Sequence, residues 1–231
     1  MIIISHLDEI DRALFERVLA CLPHNKQEKI RKYRRESDQL RTLLGEITVR
    51  TYIMQTLHQA DKDIEFKTGP YGKPYLAGPF NLHYNVSHSG KWVACLFDSY
   101  PVGIDVEEIS AIDLAIAKSY FAKNEYEDLM RQPQHERISY FFDLWTLKES
   151  FIKAVGKGLS IPLDSFSFTK ADGGYRFTSA DYPEDQYFYQ HYAIDPNYKL
   201  AACSMHKHFA AAPTQLTGTE ACLTYLMLNG G

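Results

Sequence analysis

W-T-L-K-E-S-F-I-K, Trp145 to Lys153, decides how the rest of the chain is arranged. Wound at about 100° per residue, Ile138, Phe141, Phe142, Trp145 and Ile152 form one apolar stripe, and Glu149 falls inside it. A carboxylate is thereby aimed at the core side of a helix, where it needs a cation, strong donors or a proton. Lys153, one turn further on the same side, is a candidate neighbour.

The nearest partner stretch is G-I-D-V-E-E, Gly103 to Glu108, inside an apolar, β-branched run from Val102 to Ile109 that reads as a strand. On a strand, Asp105 and Glu107 share one face and Glu108 points the other way. Two acids from a strand and a third from a helix make an all-oxygen donor set, the kind Mg²⁺ completes with water and phosphate. Each acid taken alone favours a plainer reading, with Asp105 and Glu107 on a solvated strand face and Glu149 tied to an Arg or Lys.

Basic and hydroxyl-bearing segments surround these acids in sequence. Lys26 to Arg35 carries six cations against Glu28, and in a helix Lys26 and Lys29 stand one turn apart, placed to grip one phosphate; a solvated helix face is the plainer reading. A long helix is expected over Ser37 to His58, with Leu40, Leu43, Leu44, Ile47 and Met54 on one face and Thr42 near its start, where free N–H groups meet anions. Gly69-Pro70-Tyr71-Gly72-Lys73-Pro74 is a loop by its punctuation and holds Lys73 in irregular backbone, suited to presenting a side chain to a ligand. Ser87-His88-Ser89-Gly90 is expected to join two strands, Leu82 to Val86 and Trp92 to Phe97, with donors for phosphate oxygens.

The remaining punctuation gives an opening strand in Met1 to Ile4 and a helix from Asp8, as cap, to Leu22, stopped by Pro23. Short helices are expected at Asp113 to Tyr120 and Asn124 to Met130, and a long one from Gln134 to Val155, ended by Gly156. Strands follow at Phe166 to Thr169, Tyr175 to Thr178, Tyr187 to Ile194 and Leu200 to Cys203. Ala210 to Gly231 reads either as a loose tail or as a short helix. Two halves are expected, residues 1–100 and 101–231, each with a long helix followed by strands and meeting near Pro101.

Composition bounds the rest. At 231 residues with 45% hydrophobic and 23% charged content, the chain is of ordinary globular make-up. A net charge of −4 disfavours general attraction to nucleic acid or membrane, so any phosphate site is a local patch. The four cysteines show no CxxC spacing, which argues against zinc or a disulfide framework and for a reducing cytoplasm. No run approaches the ~18 apolar residues of a membrane span, and the start lacks a signal-peptide pattern. Chemistry alone leads to a Mg²⁺-dependent phosphoryl-group enzyme or a nucleotide binder.

V-G-I-D-V-E at Val102 to Glu107, about forty residues before W-T-L-K-E-S-F-I-K, resembles the paired motifs of the 4′-phosphopantetheinyl transferases. R-T-L-L-G at Arg41, Y-G-K-P at Tyr71, N-V-S-H-S-G at Asn85 and G-K-G-L-S-I-P-L-D-S-F at Gly156 are similar to the surfactin-synthetase-activating branch. The likeness runs from about Lys26 to about His206. It implies an α+β fold of two pseudo-symmetric α/β halves, each a long helix on a small, mainly antiparallel sheet, with the active site between them. The activity implied is transfer of the phosphopantetheine arm of coenzyme A to a serine of an apo peptidyl or acyl carrier protein, releasing adenosine 3′,5′-bisphosphate.

By position the resemblance makes Asp105, Glu107 and Glu149 ligands of Mg²⁺, with Mn²⁺ as a substitute, and makes Glu149 the base as well. Lys153 would meet the pyrophosphate, and Lys26, Lys29, Thr42, Ser87 and His88 the nucleotide phosphates, with Tyr71, Gly72, Lys73 and Pro74 near the adenine. It also implies a cytoplasmic monomer, acting in nonribosomal peptide and related synthesis, whose carrier docks along Gly156 to about Gln186. There Leu159 and Ile161 would meet a carrier helix or simply pack in the core. A Mg²⁺-dependent hydrolase of nucleotide pyrophosphates is the alternative using the same acids. A nucleic-acid module gripping through Lys26 to Arg35 leaves Glu149 without a reason.

Overall fold

The computed structural model describes residues 1–8, 10–171 and 173–230. Strand β1 (Ile2–His6) leads into helices α1 (Arg12–Cys21), α2 (His24–Arg31) and α3 (Glu36–Leu57). Hairpins β2 (Phe66–Thr68) with β3 (Pro74–Leu76), and β4 (His83–Ser89) with β5 (Trp92–Asp98), come next. After β6 (Val102–Glu108) run α4 (Ala115–Tyr120), α5 (Lys123–Arg131) and α6 (Arg137–Val155). Strands β7 (Phe166–Ala171), β8 (Gly174–Ser179), β9 (Phe188–Tyr192), β10 (Tyr198–Ser204) and β11 (Thr214–Thr217) precede the last helix, α7 (Gly218–Leu228).

The expected α+β class holds, and each long helix lies on its own sheet. Helix α3 packs on a four-stranded sheet of order β11-β1-β5-β4, and α6 on a three-stranded antiparallel sheet of order β6-β10-β9. Close approach of α6 to β6 depends on Gly103, where a methyl group would overlap the Ser150 carbonyl and the Ala154 nitrogen. A shared apolar layer joins the sheets: Ile2, Ile4, Trp92 and Leu96 from one meet Val102, Ile104, Val106 and Leu200 from the other.

The seam between the sheets is made by side chains. Asn85 Oδ1 accepts from Ile104 N at 2.9 Å, Ser87 Oγ from Val106 N at 3.3 Å, and Ser89 Oγ from Glu108 N at 3.1 Å. The partners advance by two on both strands, so β4 and β6 run in the same direction with polar side chains standing where ladder carbonyls would be. Alternation in N-V-S-H-S thus has a structural meaning, and Ser87-His88-Ser89 belongs to β4, not to the connection expected there.

The tail is neither loose nor part of the second half. Strand β11 pairs parallel with β1, and α7 packs on α3 and α1, burying Cys222 and Tyr225 in the first core. A capping box starts α7: Thr217 N donates to Glu220 Oε2 at 2.7 Å, and Glu220 N to Thr217 Oγ1 at 3.1 Å. The expected division at residue 101 therefore needs correction, because the end of the chain completes the sheet that its beginning started. Helix α1 likewise begins later than expected, at Arg12, with Asp11 and not Asp8 accepting from the Leu14 N–H at 2.7 Å.

Beneath α6 lies a pair that periodicity did not reveal. Lys148 is fully buried and donates to Glu125 at 2.7 Å and to the carbonyls of Leu163 and Phe166 at 2.7 Å each. Glu125 also accepts from Phe168 N and Ala122 N, so both charges are satisfied. Among the described residues no helix is long and apolar enough to cross a membrane.

Candidate active site

Strand β6 presents Asp105 and Glu107 toward α6, and α6 presents Lys153 and Glu149 toward β6. Asp105 is 2% exposed; its Oδ1 accepts from Ser87 Oγ at 2.9 Å and Lys153 Nζ at 2.5 Å, while its buried Oδ2 has no partner. Lys153 Nζ also donates to Ser87 Oγ at 3.1 Å and the Ile104 carbonyl at 3.3 Å. Glu107 accepts from Ser89 Oγ at 2.8 Å.

Burial dominates the electrostatics of all three acids. It raises the Asp105 pKa against the opposing pull of Lys153 and Ser87. Burial, then the Asp105 charge, pushes Glu107 up to about 7, and the same two causes in the same order raise Glu149. The acids are thus near enough to feel one another, although among the described residues no three carboxylates stand closed into a metal cage. Their chemistry suits a hard divalent cation. The donors are all oxygens, one buried oxygen lacks a partner, and mutual repulsion raises proton affinities that a cation would lower.

On the first half, a cavity of about 270 Å³ opens beside this cluster, lined by Lys26, Lys29, Arg41, Thr42 and His88 among others. Lys26 pairs with Glu46 at 2.7 Å and stands 5.2 Å from the centre of the Phe66 ring. Arg41 donates to the Gly90 carbonyl and Asp38 at 2.5 Å each, fixing its guanidinium at the cavity edge. His88 lies below its usual pKa, chiefly through desolvation although its edge reaches solvent, with Arg41 and Lys153 adding to the effect. It lines the cavity, and its charge acts on Asp105.

The expected ligand residues divide. Lys26, Lys29, Thr42, His88 and Pro74 line this cavity, and Gly72 joins Lys26, Lys29 and Pro74 around an adjoining one of about 400 Å³. Thr42 is there for a different reason from the one expected. It lies in the second turn of α3, and its hydroxyl donates to Asp38 O at 2.8 Å, so it lines the cavity with its side and not with a free helix end. Ser87 is engaged with Asp105, Lys153 and Val106 and does not face the cavity. Tyr71 stands 56% exposed at the turn tip.

Lys73 departs most from expectation. Its ammonium turns away from both cavities and donates to the carbonyls of Val102 at 2.8 Å, Lys153 at 2.5 Å and Ala154 at 3.3 Å. In the segment after α6, Leu159 is 76% exposed but Ile161 is buried in the second core, so only the first can meet a partner.

Tyr33, Arg41, Gly45, Glu46 and Val49 line the cavity without having been singled out for it. All but Tyr33 follow from one signal, since positions 41, 42, 45, 46 and 49 recur at helical spacing on α3.

Comparison with known proteins gives the following. A family model described as the 4′-phosphopantetheinyl transferase superfamily matches residues 101–203, and one described as 4′-phosphopantetheinyl transferase, N-terminal, matches residues 10–98. The 4′-phosphopantetheinyl transferase Sfp of Bacillus subtilis is 42% identical over 89% of this chain and 92% of its own length. The transferase gsp of Aneurinibacillus migulanus is 37% identical over 98% and 94%, and psf-1 of Bacillus pumilus 37% identical over 95% and 94%.

Proposed function

The chain belongs to the 4′-phosphopantetheinyl transferase superfamily, and from that premise we propose that it moves the phosphopantetheine arm of coenzyme A onto a serine of apo carrier proteins. One observation carries the reading for this site. His88 lines the basic cavity of the first half and its charge acts on Asp105 of the buried acid cluster, which Lys153 holds at 2.5 Å.

In this reading the nucleotide phosphates sit among Lys26, Lys29, Arg41, Thr42 and His88, and the adenine lies against Tyr71, Gly72 and Pro74. The serine Oγ attacks the phosphorus that bears the pantetheine oxygen; the bond from that phosphorus to the bridging oxygen breaks, and adenosine 3′,5′-bisphosphate leaves. Glu149, its proton affinity raised by burial and by Asp105, takes the serine proton. Lys153 offsets negative charge growing on the leaving phosphate, and the cavity cations hold that group in line. Asp105, Glu107 and Glu149 would hold Mg²⁺, which supplies charge neutralisation of the pyrophosphate when bound.

The carrier meets the segment after α6, where Leu159 is exposed. Because both sides of the site come from one chain, the reading takes the protein to work as a monomer. In this reading carriers of nonribosomal peptide synthesis are the preferred acceptors.

Intact-mass spectrometry of apo peptidyl and apo acyl carriers, incubated with the protein, coenzyme A and Mg²⁺, tests the reading. A gain of one phosphopantetheine, abolished by EDTA, is the expected result. Coenzyme A cleaved without any gain would replace the transferase reading with a pyrophosphate hydrolase.

A further inference from the structure

Lys73 is a lysine in the wrong surroundings for a ligand contact. It is largely desolvated, which brings its pKa down to about 8, and among the described residues no carboxylate pairs with it. The titratable groups facing it are the buried Cys203 thiol on β10 and His83 on β4, while the ammonium of Lys153 is itself bonded to Asp105. All three of its hydrogen bonds go to main-chain carbonyls. Two of these, on Lys153 and Ala154, belong to the last turn of α6, where carbonyls lack helical partners and the helix end is negative. The third, on Val102, opens the strand that carries Asp105 and Glu107.

Backbone geometry fits the same insertion. Gly156 ends α6 at φ +79°, and a Cβ there would stand 3.1 Å from Lys73 Cδ, so the helix stops on a residue that leaves room for the lysine stem. On the other side, Gly69 N donates to Lys73 O at 2.9 Å and Gly72 N to Gly69 O at 3.0 Å, closing the turn whose Gly72 and Pro74 border the basic cavities.

We propose that Lys73 is a positioning residue that ties the cavity-side turn to the end of α6 and the start of β6, so that seating the co-substrate fixes the Lys153–Asp105 pair. This rests on the transferase reading. Lys73 touches no reacting group; it acts through the backbone of the residue whose ammonium does.

The test compares Lys73→Met with wild type in three readings: kcat for transfer to an apo carrier, Kd for adenosine 3′,5′-bisphosphate by calorimetry, and the pH profile of kcat. The expected result is a fall in kcat of about tenfold or more, with Kd within about threefold of wild type. Wild-type kcat should also decline above about pH 8, as the ammonium loses its proton, and this alkaline limb should be missing from the variant. A loss confined to Kd would make Lys73 a ligand contact, and unchanged kcat per folded molecule would leave it a structural prop; either overturns the proposal. Should Lys73→Met fail to fold, the same readings on Lys73→Gln decide between these outcomes. A wild-type protein that binds the bisphosphate but modifies no carrier would sink the transferase reading and the proposal together, whereas an active wild type with an unaffected variant sinks the proposal alone.

Discussion

Ser87 on β4 and Asp105 on β6 are joined across the seam, the serine Oγ donating to the aspartate Oδ1 at 2.9 Å while accepting from Val106 N and Lys153 Nζ. One hydroxyl therefore aligns two strands and orients an acid of the candidate site. Ser87→Ala leaves the buried Val106 N–H without its acceptor and Asp105 with Lys153 as its remaining donor. We expect a stability loss of about 1–3 kcal/mol in urea denaturation and a kcat reduction exceeding any change in coenzyme A binding.

Glu149→Gln keeps the size of the side chain and removes its basicity. Turnover should fall by about 10²- to 10⁴-fold with coenzyme A affinity nearly unchanged. Steady-state kinetics beside calorimetric Kd values would separate the two, and unaltered turnover would take Glu149 out of the mechanism.

Metal uptake should carry a proton signature. Burial and the Asp105 charge hold Glu107 at about 7, so below that pH a divalent cation must displace its proton. Affinity for Mg²⁺ should rise with pH to about 8 and then level off. Calorimetry in buffers of different ionisation enthalpy should find proton release near pH 6.5 and none near pH 9. Equal release at both would place the titrating group elsewhere.

The buried Lys148–Glu125 pair gives a stability prediction independent of the active site. Lys148→Met strands a carboxylate at zero exposure, and the expected loss is about 3–5 kcal/mol by denaturant unfolding. A loss below about 1 kcal/mol would mean that Glu125 is held by its two N–H donors alone.

Alkaline pH should act on stability opposite to its effect on turnover. The Lys73 pKa is depressed from 10.5 to about 8 in the folded protein, so between these values the unfolded chain binds more protons. Stability therefore rises with pH across that window as the buried charge is neutralised. The wild-type melting temperature should gain on that of Lys73→Met from pH 8 to 10, and a parallel course would show that the site is not desolvated.

Much of this was legible because it is local. The alternation through Asp105 and Glu107 and the stop at Gly156 each follow from one element. The stripe around Glu149 needs correction. Ile138, Trp145 and Glu149 are only half-buried, and Tyr140, Leu144, Leu147 and Phe151 join Phe141, Phe142 and Ile152 on the buried side because α6 is covered on more than one face. What was missed depends on partners distant in sequence. Nothing near Lys73 announces that its ammonium will cap a helix 80 residues later. Lys148 carries no mark in the sequence because its counterion is on α5, and Thr42 was assigned to a helix end that begins six residues earlier. The tail was ambiguous for the same reason, since the strand that makes β11 a strand is at the other end of the chain.

That last pairing sets an order of events during synthesis. Strand β1 is made before the other elements of its sheet but keeps an open edge until residues 214–217 appear, whereas β6, α6, β9 and β10 are all made before then. The sheet that carries β1 is thus completed after the sheet that carries β6. Nascent chains arrested after His206 should show a protease-resistant second half and a cleavable first one, and equal resistance of both would remove β11 and α7 from the completion step.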